Sequence, residues 1–176
     1  MSRSHDRTRN IILVGFMGTG KSAVGRELRR LTGFRLVDVD AEVEQAEGMS
    51  IMEIFASRGE EAFREAEARE IRRITKDSGQ VISTGGGAVL REDNMKAFSR
   101  SGDTICLLAS AETVYARTKR NTERPLLKVD DPLKKIKEMM TEREQYYRKA
   151  DFTVDTEGKN PLEIATEVLE AIGWKH

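Results

Sequence analysis

An α/β fold is predicted, a parallel sheet covered by helices on both faces, and two observations predict it. Five short apolar runs are separated by stretches with helical spacing along nearly the whole chain. Strand–helix alternation of this kind closes into a parallel sheet whose faces are both buried. Three motif-bearing segments, 15–22, 38–40 and 85–87, directly follow three of these runs. In open α/β sheets, ligands bind beyond the carboxyl ends of the strands.

Ile11-Ile12-Leu13-Val14 is the first strand, and the polar segment 1–10 before it reads as a tail outside a single domain of 11–176. Apolar residues at Val24, Leu28 and Leu31 place a helix over 22–31. Phe34–Val37 is the second strand and runs into Asp38-Val39-Asp40. A helical region follows over about 42–76, broken near Gly48 and Gly59. Gln80–Ser83 is the third strand, a short helix covers about 91–100, and Thr104–Leu108 is the fourth strand. Helical spacing returns at 111–118 and again at 132–148. Phe152-Thr153-Val154 is the fifth strand, and Leu162, Ala165, Val168, Leu169 and Ile172 mark the inner face of a closing helix.

The 176 residues suit one domain able to bury roughly 70% of its unfolded surface. Thirty basic residues balance thirty acidic ones, so charge gives no argument for a nucleic-acid or membrane partner. No apolar run approaches the roughly 18 residues of a membrane span, and the chain reads as cytoplasmic. Cys106, the single cysteine, lies in an apolar run and reads as core. His5 and His176 sit near the two ends, which speaks against histidine base chemistry.

Gly15-Phe16-Met17-Gly18-Thr19-Gly20-Lys21-Ser22 fits G-x-x-x-x-G-K-[ST] at every fixed position, between a strand and a helix. Such a loop turns backbone N–H groups onto phosphate oxygens, and the helix behind it adds its positive end. A nucleoside triphosphate site is predicted, with Lys21 reaching the β- and γ-phosphates and Ser22 holding Mg²⁺. Asp38 and Asp40, two apart in extended chain, can face one cleft and serve a metal or accept a proton, while an N-cap before Ala41 is the competing use. Phe63, Glu67, Ile71 and Ile74 share a helical stripe, which sets Glu67 among apolar residues with Arg64 one turn back. That pair is either a small-carboxylate binder or an ordinary solvated ion pair. Gly85-Gly86-Gly87 offers a backbone a ligand can approach closely, or a flexible loop. Arg117, Lys119, Arg120 and Arg124 form a cationic segment that either folds over bound ATP or stays solvated. On Leu133, Ile136, Met140, Arg143 and Tyr147, Arg143 occupies an inward position, snorkelling to water or binding a buried anion.

Taken in order, Gly15–Ser22, Asp38-x-Asp40, Phe63-Arg64-x-x-Glu67, Gly85–Gly87, Arg117, Arg124-Pro125-Leu126-Leu127 and Arg143-x-x-x-Tyr147 closely resemble the shikimate kinase family, over about residues 10–173. The resemblance implies a three-layer P-loop kinase fold with a five-stranded parallel sheet, a mobile lid at about 118–130 and a shikimate-binding region at about 40–76. It implies ATP-dependent phosphorylation of the shikimate 3-hydroxyl by a monomer using Mg²⁺. By position, Arg64, Arg143 and Gly86, with Gly85 and Gly87 beside it, hold the shikimate carboxylate, and Asp40 binds the ring hydroxyls and is the candidate base. Gly18, Thr19, Gly20, Lys21, Ser22 and Ala23 cradle ATP; Arg117 lies near adenine, Arg124 closes over the phosphates, and Lys159 is a further nucleotide candidate. Ser22, and Asp38 through water, serve the metal. Three rival readings stand beside it. A gluconate-type kinase shares the loop. A GTPase switch lacks its N-K-x-D motif, and Asp155-Thr156-Glu157-Gly158 lies too near the C-terminus to replace D-x-x-G. A binding module without transfer is opposed by intact Lys21, Ser22, Asp40 and Arg124.

Overall fold

The computed structural model describes residues 8–119, 127 and 129–174. Five strands form one sheet: β1 Asn10–Val14, β2 Arg35–Asp38, β3 Gln80–Ser83, β4 Gly102–Leu108 and β5 Phe152–Asp155. Their order is β2-β3-β1-β4-β5 with every pairing parallel, as the alternation predicted. β1 is central, and its five residues are all buried, which is why it reads as an unbroken apolar run.

Among the described residues, seven α-helices flank the sheet: α1 Lys21–Thr32, α2 Val39–Glu47, α3 Ile51–Ile74, α4 Glu92–Ser101, α5 Ala111–Thr118, α6 Pro132–Tyr147 and α7 Pro161–Ala171. Ile11 and Leu13 face a core shared with Val24 and Leu28 of α1 and Val168 and Leu169 of α7. Ile12 and Val14 face the opposite core, built with α2 through α6. Cys106 is fully buried in that second core, and burial pushes its thiol up to about 11, so it is an inert apolar filler.

The elements depart from expectation at three places. Asn10 belongs to β1 and is buried; its side chain receives the Gln80 N–H at 2.9 Å and donates to the Asp77 carbonyl at 2.8 Å. Order therefore reaches into the expected tail, because those two bonds tie Asn10 to the turn before β3. α2 starts at Val39, three residues early, because Asp38 caps it by accepting the Ala41 N–H at 3.2 Å. The long helical region breaks where expected: Gly48 ends α2, and α3 kinks at Gly59 (φ 83°, ψ 174°). Leu162 is exposed and Ile164 takes the inward place. At about 100° per residue, Leu162 lies roughly 90° from the centre of the arc made by 164, 165, 168, 169 and 172, so it cannot reach the sheet. Of the expected lid, residues 120–126 and 128, Arg124 included, lie outside the described residues.

Candidate active site

The loop after β1 is held in shape by its own groups. Gly15 has φ 140°, and a Cβ there would stand 2.6 Å from the Leu107 carbonyl oxygen, so only glycine allows the loop to cross β4 this closely. Lys21 Nζ donates to the carbonyls of Gly15 at 2.7 Å and Phe16 at 2.8 Å. Thr19 Oγ1 donates to the same Phe16 carbonyl at 2.8 Å. Gly20, left-handed, leads into α1 without a side-chain cap, so the first N–H groups of that helix remain for an anion. A cavity of about 340 Å³ opens beside the loop, lined among others by Gly18, Lys21, Ser22, Asp38, Asp40 and Gly86.

Asp38 and Asp40 thus share one cavity, though not by strand alternation. The strand ends at Asp38, the N-cap; Asp40 stands in the first turn of α2. The capping use is real and falls to Asp38. Asp40 Oδ1 is buried without a partner. Desolvation, then the neighbouring Asp38 charge, raise Asp40 to about 6, partly opposed by Lys21 and Arg64.

Beyond Asp40 lies a second group of side chains drawn from separate elements. On α3, Arg64 and Glu67 are 8% and 0% exposed, and Arg64 Nη1 donates to Glu67 Oε1 at 3.0 Å. The pair is therefore not a solvated surface pair. Arg64 Nη2 also reaches Glu60 at 3.3 Å, and its guanidinium lies 5.1 Å from the Phe63 ring. Burial pushes Glu67 up to about 7 against the pull of Arg64. Arg143 on α6 is 6% exposed, with its guanidinium 5.6 Å from the Phe16 ring centre and Nη1 lacking a partner. It does not snorkel.

Gly85-Gly86-Gly87 is where these groups meet. A Cβ on Gly85 would stand 2.9 Å from Asp40 Oδ1 and 3.2 Å from Glu67 Oε2; one on Gly86 would stand 3.6 Å from Arg143 Nη1. A Cβ on Gly87 would overlap the Arg64 guanidinium. Close approach of charged side chains thus accounts for Gly85 and Gly87, while Gly86 is crowded by the Met17 backbone nitrogen, 3.1 Å from where its Cβ would stand. Four buried polar atoms without a partner, Asp40 Oδ1, Arg64 Nε, Glu67 Oε2 and Arg143 Nη1, belong to this one region. Buried polar groups left this way are costly unless a ligand or water satisfies them.

Two expected nucleotide contacts fall differently. Arg117 on α5 donates to the Gly18 carbonyl at 3.1 Å and so lies against the phosphate loop. Lys159 is tied to the Asp155 carbonyl at 3.0 Å and to Glu167 at 2.8 Å, and does not line the 340 Å³ cavity. Two residues given no role from sequence belong to the site. Tyr147 donates its hydroxyl to the Gly86 carbonyl at 2.6 Å, and Phe16 underlies Arg143. An inward tyrosine needs a partner for its O–H, which was a signal available for Tyr147; no sequence rule singles out Phe16.

A phosphate loop at the carboxyl end of the central strand of a five-stranded parallel sheet, facing a buried pocket of carboxylates and guanidinium groups, defines a P-loop small-molecule kinase. The family profile described as shikimate kinase matches residues 17–173. A shikimate kinase of Thermodesulfovibrio yellowstonii is 48% identical over 162 residues, covering 92% of this chain and 94% of that one. The solved shikimate kinase of Acinetobacter baumannii, in complex with shikimate, is 35% identical, with a TM-score of 0.91 over 94% of this chain and 93% of that one. That of Aquifex aeolicus is 38% identical, with a TM-score of 0.82 over 93% of this chain and 95% of that one. The chain belongs to the shikimate kinase family.

Proposed function

We infer that this protein transfers the γ-phosphoryl group of ATP to the 3-hydroxyl of shikimate, giving shikimate 3-phosphate and ADP for aromatic amino-acid biosynthesis. The observation that carries the choice of acceptor is the convergence of Arg64, Arg143 and Asp40 on Gly85–Gly87, beside Lys21. Two guanidinium groups in one buried pocket call for an anion, and a nearby unpartnered carboxylate calls for a hydroxyl.

In this mechanism the acceptor carboxylate is held by Arg64, Arg143 and the Gly86 backbone, and its ring hydroxyls by Asp40. Asp40 takes the proton of the 3-hydroxyl as its oxygen bonds to the γ-phosphorus, while the bond from that phosphorus to the β-bridging oxygen breaks and ADP leaves. Lys21 leaves the Gly15 and Phe16 carbonyls to stabilise charge on the β- and γ-oxygens. Arg117, against the phosphate loop, is assigned to the nucleotide, and Arg124, by its motif position, to charge on the phosphates. Lys159 as a nucleotide contact requires release from Glu167.

Among the described residues, no group of three or more His, Cys, Asp or Glu is arranged to hold a metal. A Mg²⁺ site made of the Ser22 hydroxyl, Asp38 through water and the nucleotide phosphates fits that donor set, since Mg²⁺ keeps waters and uses few carboxylates. When bound, the ion neutralises charge on the β- and γ-oxygens. The enzyme is proposed to act as a cytoplasmic monomer without nucleic-acid or membrane partners; its elution volume in gel filtration tests the oligomeric part.

The test of function is ADP release with ATP and Mg²⁺ in the presence of shikimate, gluconate or no acceptor. Turnover with shikimate alone is expected. Equal turnover with gluconate moves the acceptor assignment to another polyhydroxy acid, and equal release without acceptor removes the kinase reading.

A further inference from the structure

We propose that Glu47 is a positioning residue for the acceptor: by fastening both halves of the kinked α3 to the end of α2, it fixes the spacing between Asp40 and Arg64. This rests on the reading of Asp40 and Arg64 as the hydroxyl and carboxylate ends of the acceptor site. Asp40, Glu44 and Glu47 follow one another at spacings of four and three on α2, which sets the three carboxylates on one stripe. Asp40 lines the pocket, and the other two hold α3. Glu44 Oε1 receives the Ile51 N–H at 2.9 Å, at the start of α3. Glu47 Oε2 receives Arg58 Nη1 at 2.6 Å, and its Oε1 receives Arg69 Nη2. The Glu47 side chain is 14% exposed, with both oxygens engaged. Further along, Arg73 joins Glu42 of α2 to Glu70, the latter through Nε at 2.7 Å.

Arg58 and Arg69 stand on opposite sides of Gly59, where φ 83° and ψ 174° interrupt the helix. An interrupted hydrogen-bond ladder leaves the angle between two helical segments to contacts outside it. A Cβ on Gly59 would meet nothing within 4 Å, so packing at the glycine does not pin the bend. The Phe55 and Phe63 rings meet across it at 5.1 Å, a non-directional apolar contact that tolerates sliding. Glu47 instead holds each segment at a defined point. Arg64 follows the bend by five residues, so a change in its angle shifts the guanidinium relative to Asp40, which α2 carries. Isolated exposed ion pairs hold little. A largely buried carboxylate shared by two guanidinium groups is the networked case in which the geometry persists.

The test is steady-state kinetics of the whole chain with ATP and shikimate. Wild type, Glu47→Gln, Arg58→Gln, Arg58→Lys and the double variant Glu47→Gln/Arg58→Gln are compared. Glu47→Gln is expected to raise KM for shikimate roughly five- to tenfold, with kcat within about twofold and KM for ATP unchanged. The sign is diagnostic: through its field alone, loss of a negative charge near an anion site would lower that KM. Arg58→Gln raises it roughly threefold, and Arg58→Lys, which keeps a cationic donor for the single contact, stays near wild type. The double variant is no worse than Glu47→Gln, because the first change has already released Arg58. A general loss of folded protein would lower apparent kcat without moving KM for shikimate alone. An unchanged or lowered KM in Glu47→Gln overturns the proposal, as does a double variant whose effects multiply. If Glu47→Gln does not fold, Arg58→Gln, at an exposed side chain, carries the test, and an unchanged KM there is equally fatal. A wild type that does not turn over shikimate overturns the acceptor assignment rather than the role of Glu47.

Discussion

At the phosphate loop, Lys21 and Thr19 bond to the loop's own carbonyls at Gly15 and Phe16, and Arg117 reaches in from α5 to that of Gly18. In the acceptor pocket a few residues away, Asp40, Arg64, Glu67 and Arg143 each keep a buried polar atom without a partner. The loop is largely a local structure whose polar side chains find partners within it. The pocket is assembled from α2, α3, α6 and the segment after β3, and its charges balance only in part. A backbone cradle can be stable before its ligand binds. A clamp of desolvated side chains holds instability that the right ligand relieves, which is how such a pocket gains selectivity.

That contrast can be broken most severely at Lys21. Lys21→Ala is expected to lower kcat by roughly 10³-fold, since it removes the cation aimed at the transferred group. Shikimate binding in the absence of nucleotide should persist, and its loss would mean that the two regions are not separable. Next in size, Arg64→Ala or Arg143→Ala should weaken shikimate binding by about 2–4 kcal/mol, read by calorimetry, with ADP affinity unchanged. Unaltered shikimate affinity in both variants would end the clamp assignment.

Smaller but sharper is Gly87→Ala. The added methyl overlaps the Arg64 guanidinium and must displace it, so kcat/KM for shikimate should drop roughly 10- to 100-fold with KM for ATP unaffected. A silent Gly87→Ala would show that Arg64 acts from another position. The gentlest probe is pH. Glu67 is raised from 4.5 to about 7, chiefly by desolvation. An acid raised in the folded state contributes stability that is complete below pH 4.5 and lost as pH climbs through about 7. Asp40, raised from 3.8 to about 6, adds a parallel loss over its own range. Thermal melts of the ligand-free protein should therefore show stability falling across that interval, with a shallower slope in Glu67→Gln. Identical slopes would assign the pH dependence to other groups.

The legibility of each region in sequence follows the same division. Gly15–Ser22 is contiguous, so its motif, flanking strand and helix could be read as one unit. The inward stripes that carry Glu67 and Arg143 were also readable, because helical spacing reports which side is buried. What the stripe could not say was that Arg64 is buried with Glu67, since an i, i+3 ion pair looks alike on a solvated face and in a pocket. The Asp38 and Asp40 arrangement was misjudged in geometry for a local reason. Strand alternation and a helix start compete over the same three residues, and the cap at Asp38 wins. Lys159 illustrates the reverse problem: a basic residue in the expected loop has its own acid, Glu167, two turns into α7.

By itself the sequence determined the alternating elements, the phosphate loop and its lysine, and the inward positions of Glu67 and Arg143. These are properties of neighbours in the chain: period, turn chemistry and fixed spacing. Only the tertiary structure decided that Gly85 and Gly87 admit the Asp40 and Glu67 carboxylates and the Arg64 guanidinium, and that Phe16 and Tyr147 pack beside Arg143 and Gly86. Those contacts join residues 16, 40, 64, 86 and 143 across separate elements. Desolvation at such a meeting point is set by everything packed around it, and no local pattern encodes it.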